Sequence, residues 1–149
     1  MTHCIFCDIV SGHSEATLVW QDELVAAFLD IQPINAGHLL IVPKVHATEM
    51  ADLSEDTGAH MFRIAQRLTH TLRQSGLPCE GVNLFLADGE VAGQEVFHVH
   101  LHVFPRVTGD GFGFKFGEAY FDKPTRPQLD EVGAKVRSAL ESQADEGSA

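Results

Sequence analysis

The amino-acid sequence predicts an α+β fold with a mainly antiparallel sheet. Short strand-like runs come first, a long helical pattern follows, and further strand-like runs precede a last helix. The 149 residues, 44% of them apolar, suffice for one domain with its own core. No linker rich in glycine, serine or proline divides the chain. We therefore predict a single domain over residues 1–142, followed by a disordered tail of small and polar residues, 143–149.

The first strand-like runs flank short turns. Leu18–Trp20 and Val25–Leu29 enclose the polar turn 21–23, and this arrangement predicts a β-hairpin. His38–Pro43 is a short apolar run that follows the glycine-containing segment 35–37, which predicts a buried strand.

A long amphipathic helix is predicted from Ser54. The serine side chain can cap the first turn of the helix, and Gly76 followed by Pro78 provides the signal that ends it. Apolar residues recur at three- and four-residue steps, as expected for a helix with one buried face. These residues are Met61, Ile64, Ala65, Leu68 and Leu72.

Two further strands and a last helix complete the predicted fold. Val82–Ala87 and Val96–Pro105 are strand-like, and the glycine-containing loop 88–94 joins them. A final helix is predicted to begin near Pro127, because proline is favoured in the first turn of a helix. Its predicted inner stripe consists of Leu129, Val132, Val136 and Leu140.

Composition and charge exclude several classes of function. The formal net charge is −11, so we expect neither nonspecific nucleic-acid binding nor attachment to an anionic membrane. The apolar runs are too short to span a bilayer, and the N-terminus lacks the pattern of a secretion signal. Three cysteines are too few for a disulfide framework, which favours a reducing, cytoplasmic location.

Three of the nine histidines lie within five residues. Because side chains alternate along a strand, His98, His100 and His102 would share one face, while the apolar residues between them face the core. Three interpretations are open: a solvated polar face, a metal site of three histidines, or phosphorus chemistry by a histidine nucleophile. A neutral imidazole is a good nucleophile near pH 7, which favours the third.

Residues 93–106, GQEVFHVHLHVFPR, resemble the signature of the histidine triad (HIT) family. Further segments match across most of residues 4–117. They are Cys4–Ile9, which resembles the opening of the bacterial zinc-containing branch, Phe28–Ile31, Asn35–His38, Val42–His46 and Gly109–Gly113. The resemblance implies a HIT-like fold with a mainly antiparallel five-stranded sheet, a long central helix and a C-terminal helix. It also implies a nucleotide hydrolase or transferase.

The resemblance implies roles for individual residues. His100 would attack the α-phosphorus of a purine nucleotide ester, phosphoramidate or anhydride and form a nucleotidyl-histidine, from which water releases the nucleoside monophosphate. His38 and His102 would hold the non-bridging phosphate oxygens. Asp30 would accept hydrogen bonds from the ribose hydroxyls. Gln94 is expected in the phosphate pocket, through its side chain or its backbone N–H.

Apolar side chains near this site are candidates to sandwich the base, although ordinary core packing explains each of them equally well. They are Phe6, Ile9, Phe28 and Ile31. Two residues depart from the family pattern. Glu95 stands where several branches carry Ser or Thr near the phosphate, and Ala87 stands where better-known branches carry Asn or Gln. A carboxylate at position 95 would protonate a leaving group only with a raised pKa, and it would otherwise repel the anion.

The spacing of Cys4 and Cys7 is that of one half of a zinc site. The resemblance to the zinc-containing branch adds His46 and His98 as the remaining ligands. Four protein ligands would leave no position for water, so the zinc would be structural. The alternative is that both cysteines are small buried apolar residues.

The resemblance also implies a homodimer and a purine nucleotide as partner. Two other functions remain open at this stage: a dinucleoside polyphosphate hydrolase, and a nucleotide-binding regulatory adaptor with little turnover. The remaining histidines are predicted to face solvent. They are His3, His13, His60 and His70.

Overall fold

A computed structural model describes residues 3–146 of the chain. These residues fall into two compact units, one up to Phe112 and the other from Gly113 onwards. The first unit contains the sheet and all candidate site residues. A single domain over residues 1–142 therefore stays a prediction. No helix within the described range is long and apolar enough to cross a membrane.

Five strands form one sheet in the first unit. The strands are β1 (Leu18–Gln21), β2 (Val25–Leu29), β3 (Leu39–Pro43), β4 (Gly81–Phe85) and β5 (Leu101–Arg106). Their order across the sheet is β1-β2-β3-β5-β4, and each neighbouring pair is antiparallel. This sheet confirms the predicted α+β fold. The predicted fourth strand, Val82–Ala87, extends too far, because the last residue that pairs with β5 is Phe85.

The long helix α2 (Glu55–Gln74) lies against one face of the sheet. The side chain of Ser54 accepts a hydrogen bond from the backbone N–H of Thr57, which confirms the predicted cap. All five residues of the predicted apolar stripe are buried, and they pack against alternate residues of the sheet. The sheet residues in this cluster include Val25, Ala27, Leu39, Ile41 and Val103.

A short helix that the sequence analysis did not predict, α1 (Ile5–Val10), contributes to the packing of the opposite face. Its six residues are too few to show a helical period clearly. The ring of Phe6 packs edge-on against that of Phe28, with centroids 5.6 Å apart. The apolar cluster on this face consists of Phe6, Ala26, Phe28, Leu40 and Val42.

The turn of the β1–β2 hairpin is tied to α2 through Asp22. Its carboxylate accepts hydrogen bonds from the Trp20 indole and from His60, each at 2.8 Å. Burial alone would raise the pKa of Asp22, but these bonds and those from the backbone N–H groups of Val25 and Leu24 hold it well below its usual range. His60, which was predicted to face solvent, is half-buried on the helix and binds this carboxylate.

The second unit contains the last helix, α3 (Arg126–Glu146). Its predicted inner stripe is 43% to 60% exposed, so the other described residues of this unit do not cover it, and its burial stays a prediction. The helix runs to Glu146, into the segment that we expected to be disordered, while residues 147–149 lie outside the described residues. Further exposed aromatic side chains precede the helix. They are Phe114, Phe116, Tyr120 and Phe121.

Candidate active site

The histidine-rich segment forms a strand only in its second half. Residues 96–98 bend, and β5 begins at Leu101 rather than at Val96 as predicted. The backbone N–H of Val99 pairs with the carbonyl of Ala47 instead of with a strand. The alternation nevertheless holds, because the intervening residues Val99, Leu101 and Val103 all lie in the core beneath α2.

His100 is buried, and the contact that it makes fixes the state of its ring. Its Nδ1 lies 2.7 Å from the carbonyl oxygen of His98. A carbonyl can only accept, so Nδ1 carries the proton and the neutral ring keeps its lone pair on Nε2. The edge of Phe6 packs against the ring, with centroids 5.2 Å apart. His100 therefore has a fixed orientation, with the lone pair of its neutral ring on Nε2.

A chain of hydrogen bonds fixes the tautomers of His38 and His102. The backbone N–H of Ile34 donates to Nδ1 of His38 at 3.1 Å, so the proton of this ring is on Nε2. That Nε2–H donates to Nδ1 of His102 at 2.9 Å. His102 consequently carries its own proton on Nε2, which is left as a donor for another group.

These two histidines are neutral at pH 7. Burial lowers the pKa of His102 to about 4, with further lowering by His100 and His38. Burial also lowers the pKa of His38, against the opposing effect of Asp30. Without a bound anion, His102 thus offers a neutral N–H donor rather than an imidazolium cation.

Asp30 lies at the edge of this chain of histidines. One carboxylate oxygen is 3.6 Å from Nε2 of His38, and the other accepts the backbone N–H of Gln32 at 2.8 Å. Asp30, His38 and His102 together form a cluster in which three potential metal ligands lie within 4.8 Å of one another. The tautomers argue against a metal there, because Nε2 of His38 carries a proton instead of a lone pair.

The two predicted substrate residues before the triad are placed differently. Gln94 is buried, and its amide binds three backbone groups: it accepts from Gly89 N–H at 2.8 Å and donates to the carbonyls of Thr48 and Val96 at 2.7 and 3.1 Å. Its own backbone N–H donates to the carbonyl of Gly89. Gln94 thus stabilises the loop, and donation from Gln94 to a phosphate oxygen would require it to give up one of these bonds. Glu95 is exposed.

Of the four residues expected to sandwich a base, two belong to the core. Phe6 and Phe28 are buried in the cluster against α1, where each has a packing role. Ile31 differs, because its side chain is 99% exposed beside Asp30. An open hollow borders these two residues. Ile9 is half-buried and packs against the same cluster, so Ile31 is the one of the four with a fully exposed side chain.

A second cluster brings together all four predicted metal ligands: Cys4, Cys7, His46 and His98. Their ligand atoms lie within 4.8 Å of one another. The Cys4 Sγ and Cys7 Sγ atoms are 3.4 and 3.6 Å from Nδ1 of His98, and Cys7 Sγ is 3.3 Å from Nδ1 of His46. Two ligands on a tetrahedral zinc, one sulfur and one nitrogen, are roughly 3.6 Å apart. The cluster therefore fits a tetrahedral ion.

The protonation of His98 supports the same conclusion. Its Nε2 lies 2.8 Å from the carbonyl of Pro43, so Nε2 donates and the lone pair of Nδ1 points among the thiols. Burial and the neighbouring Cys4 raise the pKa of the Cys7 thiol to about 11. A divalent cation would reverse this effect by stabilising the thiolate.

Comparison with known proteins decides the family. The HIT domain model matches residues 11–109. The chain belongs to the HIT family. An uncharacterized HIT-like protein of Methanocaldococcus jannaschii is 40% identical over 134 residues, which covers 90% of this chain and 98% of the relative. The resemblance seen in the sequence is thereby confirmed.

Two solved structures of HIT proteins are similar along most of the chain. A Zn-bound histidine triad family protein from Mycobacterium smegmatis is 40% identical, with a TM-score of 0.71 and coverage of 97% of this chain and 96% of that one. A histidine triad nucleotide-binding protein from Candida albicans is 28% identical, with a TM-score of 0.80 and coverage of 94% and 99%.

Backbone groups that fix the histidine tautomers were missed by the sequence analysis. The Ile34 N–H and the Pro43 carbonyl act through atoms that every such residue carries, so their residue types give no signal. The glycine before His38 was the available hint, since it permits the turn that returns the chain to Ile34.

Proposed function

We propose that this HIT protein is a nucleotide hydrolase or transferase that acts at the α-phosphate of purine nucleotide derivatives, such as phosphoramidates. One observation carries the proposal: the bond from His100 Nδ1–H to the His98 carbonyl, at 2.7 Å, leaves Nε2 as a fixed nucleophile. The Nε2–H of His102, in the next position on the same face, supplies a neutral donor for a phosphate oxygen.

The reaction would proceed in two displacements at phosphorus. In the first, the Nε2 lone pair of His100 forms a bond to the α-phosphorus as the bond to the leaving group breaks. The leaving group departs with the electron pair and is protonated from solvent. In the second, water attacks the same phosphorus, the nucleoside monophosphate is released, the electron pair returns to Nε2, and the surplus proton goes to solvent.

The surrounding side chains would bind the nucleotide. His102 would hold a non-bridging oxygen through its Nε2–H, and His38, expected to hold another, would act by orienting His102, because its own Nε2–H is donated to His102 Nδ1 at 2.9 Å. Asp30 would accept the ribose hydroxyls, and Ile31 would offer an apolar surface to the base. Glu95 would lie near the leaving group.

We also propose a structural zinc ion on Cys4, Cys7, His46 and His98. Four protein ligands complete a tetrahedral shell, so the ion would supply charge and rigidity and no open position for chemistry. It would join the N-terminal segment to His98, two residues before the nucleophile. Ligation by two thiolates requires reduced cysteines, which suits the cytoplasm.

A homodimer is the association that we propose for the chain. The stripe of α3 is 43% to 60% exposed, and such a continuous apolar surface is typical of an interface. The strand β4 is at an edge of the sheet, and its Leu84 and Phe85 are also exposed. Both surfaces suit a second copy of the chain.

Turnover of adenosine 5′-phosphoramidate tests the proposed activity. The parent protein should release AMP, and His100→Ala should reduce kcat by roughly three orders of magnitude or more, because no other group replaces the nucleophile. His70→Ala is the matched control, since His70 is exposed on α2. Nucleotide binding without turnover by the parent would instead support a regulatory adaptor. Faster cleavage of a dinucleoside polyphosphate would reassign the leaving group.

A further inference from the structure

The loop 107–112, which follows β5, is folded around one buried carboxylate. The Asp110 side chain is 3% exposed and forms a two-pronged ion pair with Arg106, with Nε–Oδ2 at 2.6 Å and Nη2–Oδ1 at 2.7 Å. The Arg106 guanidinium also lies over the ring of Phe112, 4.9 Å from its centroid. The contacts with Arg106 therefore already hold the Asp110 carboxylate in one orientation.

Asn35, which is distant in sequence, also binds this carboxylate. Its side-chain amide donates to Asp110 Oδ2 at 2.8 Å and to the Pro105 carbonyl at 2.9 Å, so both N–H groups are used. The backbone carbonyl of Asn35 accepts the N–H of His38 at 3.0 Å. Asn35 is thus bound on one side to the loop and on the other to the turn that presents His38.

The residue before Asn35 carries the N–H that fixes the tautomer of His38. A displacement of Asn35 would move the N–H of Ile34, which is 3.1 Å from Nδ1 of His38. Without that donor, the ring could place its proton on Nδ1. It would then have no proton on Nε2 to donate to His102, and the donor of His102 would lose its orientation.

We propose that Asn35, held by Asp110, is a positioning residue that keeps His38 in the tautomer with its proton on Nε2. The proposal rests on the proposed nucleotide chemistry for its kinetic consequence, whereas its structural consequence concerns the His38 ring alone. Asn35 touches no reacting atom. It acts through the turn 34–38, and His38 transmits the effect to His102.

The chain offers a matched control for loop stability. Glu80 binds the same loop, accepting from Thr108 N–H at 2.7 Å and Thr108 Oγ1 at 2.6 Å. Among the described residues it has no hydrogen bond to the turn 34–38. Glu80→Gln weakens an anchor of the loop and leaves Asn35 in place. If the loop had only a structural role, Glu80→Gln would show the same His38 NMR signal and the same loss of kcat as Asn35→Ala.

The test compares full-length Asn35→Ala and Asp110→Asn with Glu80→Gln and the parent, using nitrogen NMR of labelled histidines and kinetics with adenosine 5′-phosphoramidate. We expect the His38 signal of the parent to show a single Nε2–H tautomer. In the first two variants it should show a mixture. Their kcat should fall roughly tenfold to a hundredfold with little change in KM, because a small misplacement has effects of this size. The double variant Asn35→Ala/Asp110→Asn should lose no more kcat than either single variant, because both changes act on the same contact.

An unchanged His38 signal in Asn35→Ala overturns the proposal, as does a kcat loss no greater than that of Glu80→Gln. If Asn35→Ala does not fold, Asp110→Asn decides by the same criteria. Absence of turnover by the parent would instead refute the proposed function. The NMR comparison would still decide whether Asn35 positions His38, so the two failures are distinguishable.

Discussion

The carbonyl oxygen of His98 lies 2.7 Å from Nδ1 of His100. The ring of the same His98 places Nδ1 among the thiols of Cys4 and Cys7 and donates from Nε2 to the carbonyl of Pro43. One residue therefore connects the candidate metal site to the tautomer of the candidate nucleophile. Rigidity at the cluster is consequently expected to influence chemistry at His100.

Loss of one thiol should remove the metal. We expect about one zinc per chain in the parent and none in Cys4→Ala, because three ligands bind zinc much less tightly than four. The melting temperature should fall at the same time. Elemental analysis and calorimetry measure both effects. Cys79→Ala, which lies outside the cluster, should keep its metal, and a metal-free parent of equal stability would contradict the assignment.

Acid should destabilise the fold through His102. Its pKa is about 4 in the folded protein and 6.5 in the unfolded chain, so the unfolded state binds more protons between these values. Stability is therefore lost as the pH falls from about 6.5 towards 4, at up to about 1.4 kcal/mol per pH unit for this one group. Urea unfolding of His102→Gln should show a shallower slope in this window. His70→Gln should keep the slope of the parent, and equal slopes in all three proteins would contradict the prediction.

Gly37→Ala should disturb the turn before His38. Gly37 has φ of +96°, and a Cβ atom there would be 2.9 Å from Leu77 Cδ1 and 3.1 Å from Leu72 Cδ2. Gly12→Ala is the control, since its φ is also positive, at +78°, but no heavy atom lies within 4 Å. Both should lose about 1 kcal/mol from backbone strain, and Gly37→Ala should lose roughly 1–3 kcal/mol more from overpacking. Equal losses in denaturant unfolding would show that the close contacts relax freely.

A charge in the apolar stripe of α3 should weaken the proposed dimer. Val136→Glu introduces a carboxylate on that stripe, where burial in an interface would be costly. Light scattering should show a dimeric parent and a shift of the variant towards monomer at micromolar concentration. Lys135→Glu is the control. Lys135 is next to Val136 in the chain but forms an exposed ion pair with Glu131, so this variant should remain dimeric. A monomeric parent would refute the dimer itself.

Local patterns predicted much of the fold. The α2 period, the Ser54 cap and the β1–β2 hairpin depend on neighbouring residues, and the structure has all three. Burial of the α3 stripe stays a prediction, because periodicity identifies an apolar face without identifying what covers it. Helix α1 was missed because six residues, with Cys7 and Asp8 among apolar neighbours, do not display one clear period.

Only part of the candidate site could be predicted from the sequence. The predicted metal ligands and the triad histidines carry distinctive side chains, and the predicted sets do come together in space. A contact between Gln94 and the substrate stays a prediction. The bond from its amide to the Thr48 carbonyl could not be predicted, because it depends on where the chain runs past Thr48. The predicted alternation of histidines and buried apolar residues is present although His98 and His100 precede the strand. The apolar residues between the histidines still lie in the core beneath α2.

The most direct test of the proposed chemistry is detection of the covalent intermediate. The parent and His100→Ala would be exposed briefly to adenosine 5′-phosphoramidate, quenched without acid and analysed by peptide mass spectrometry. We predict an adenylyl group on the peptide that contains His100 in the parent alone, with fragment ions that assign it to that residue. An adduct on His98 or His102, or equal turnover by both proteins, would contradict the assignment of His100 as the nucleophile.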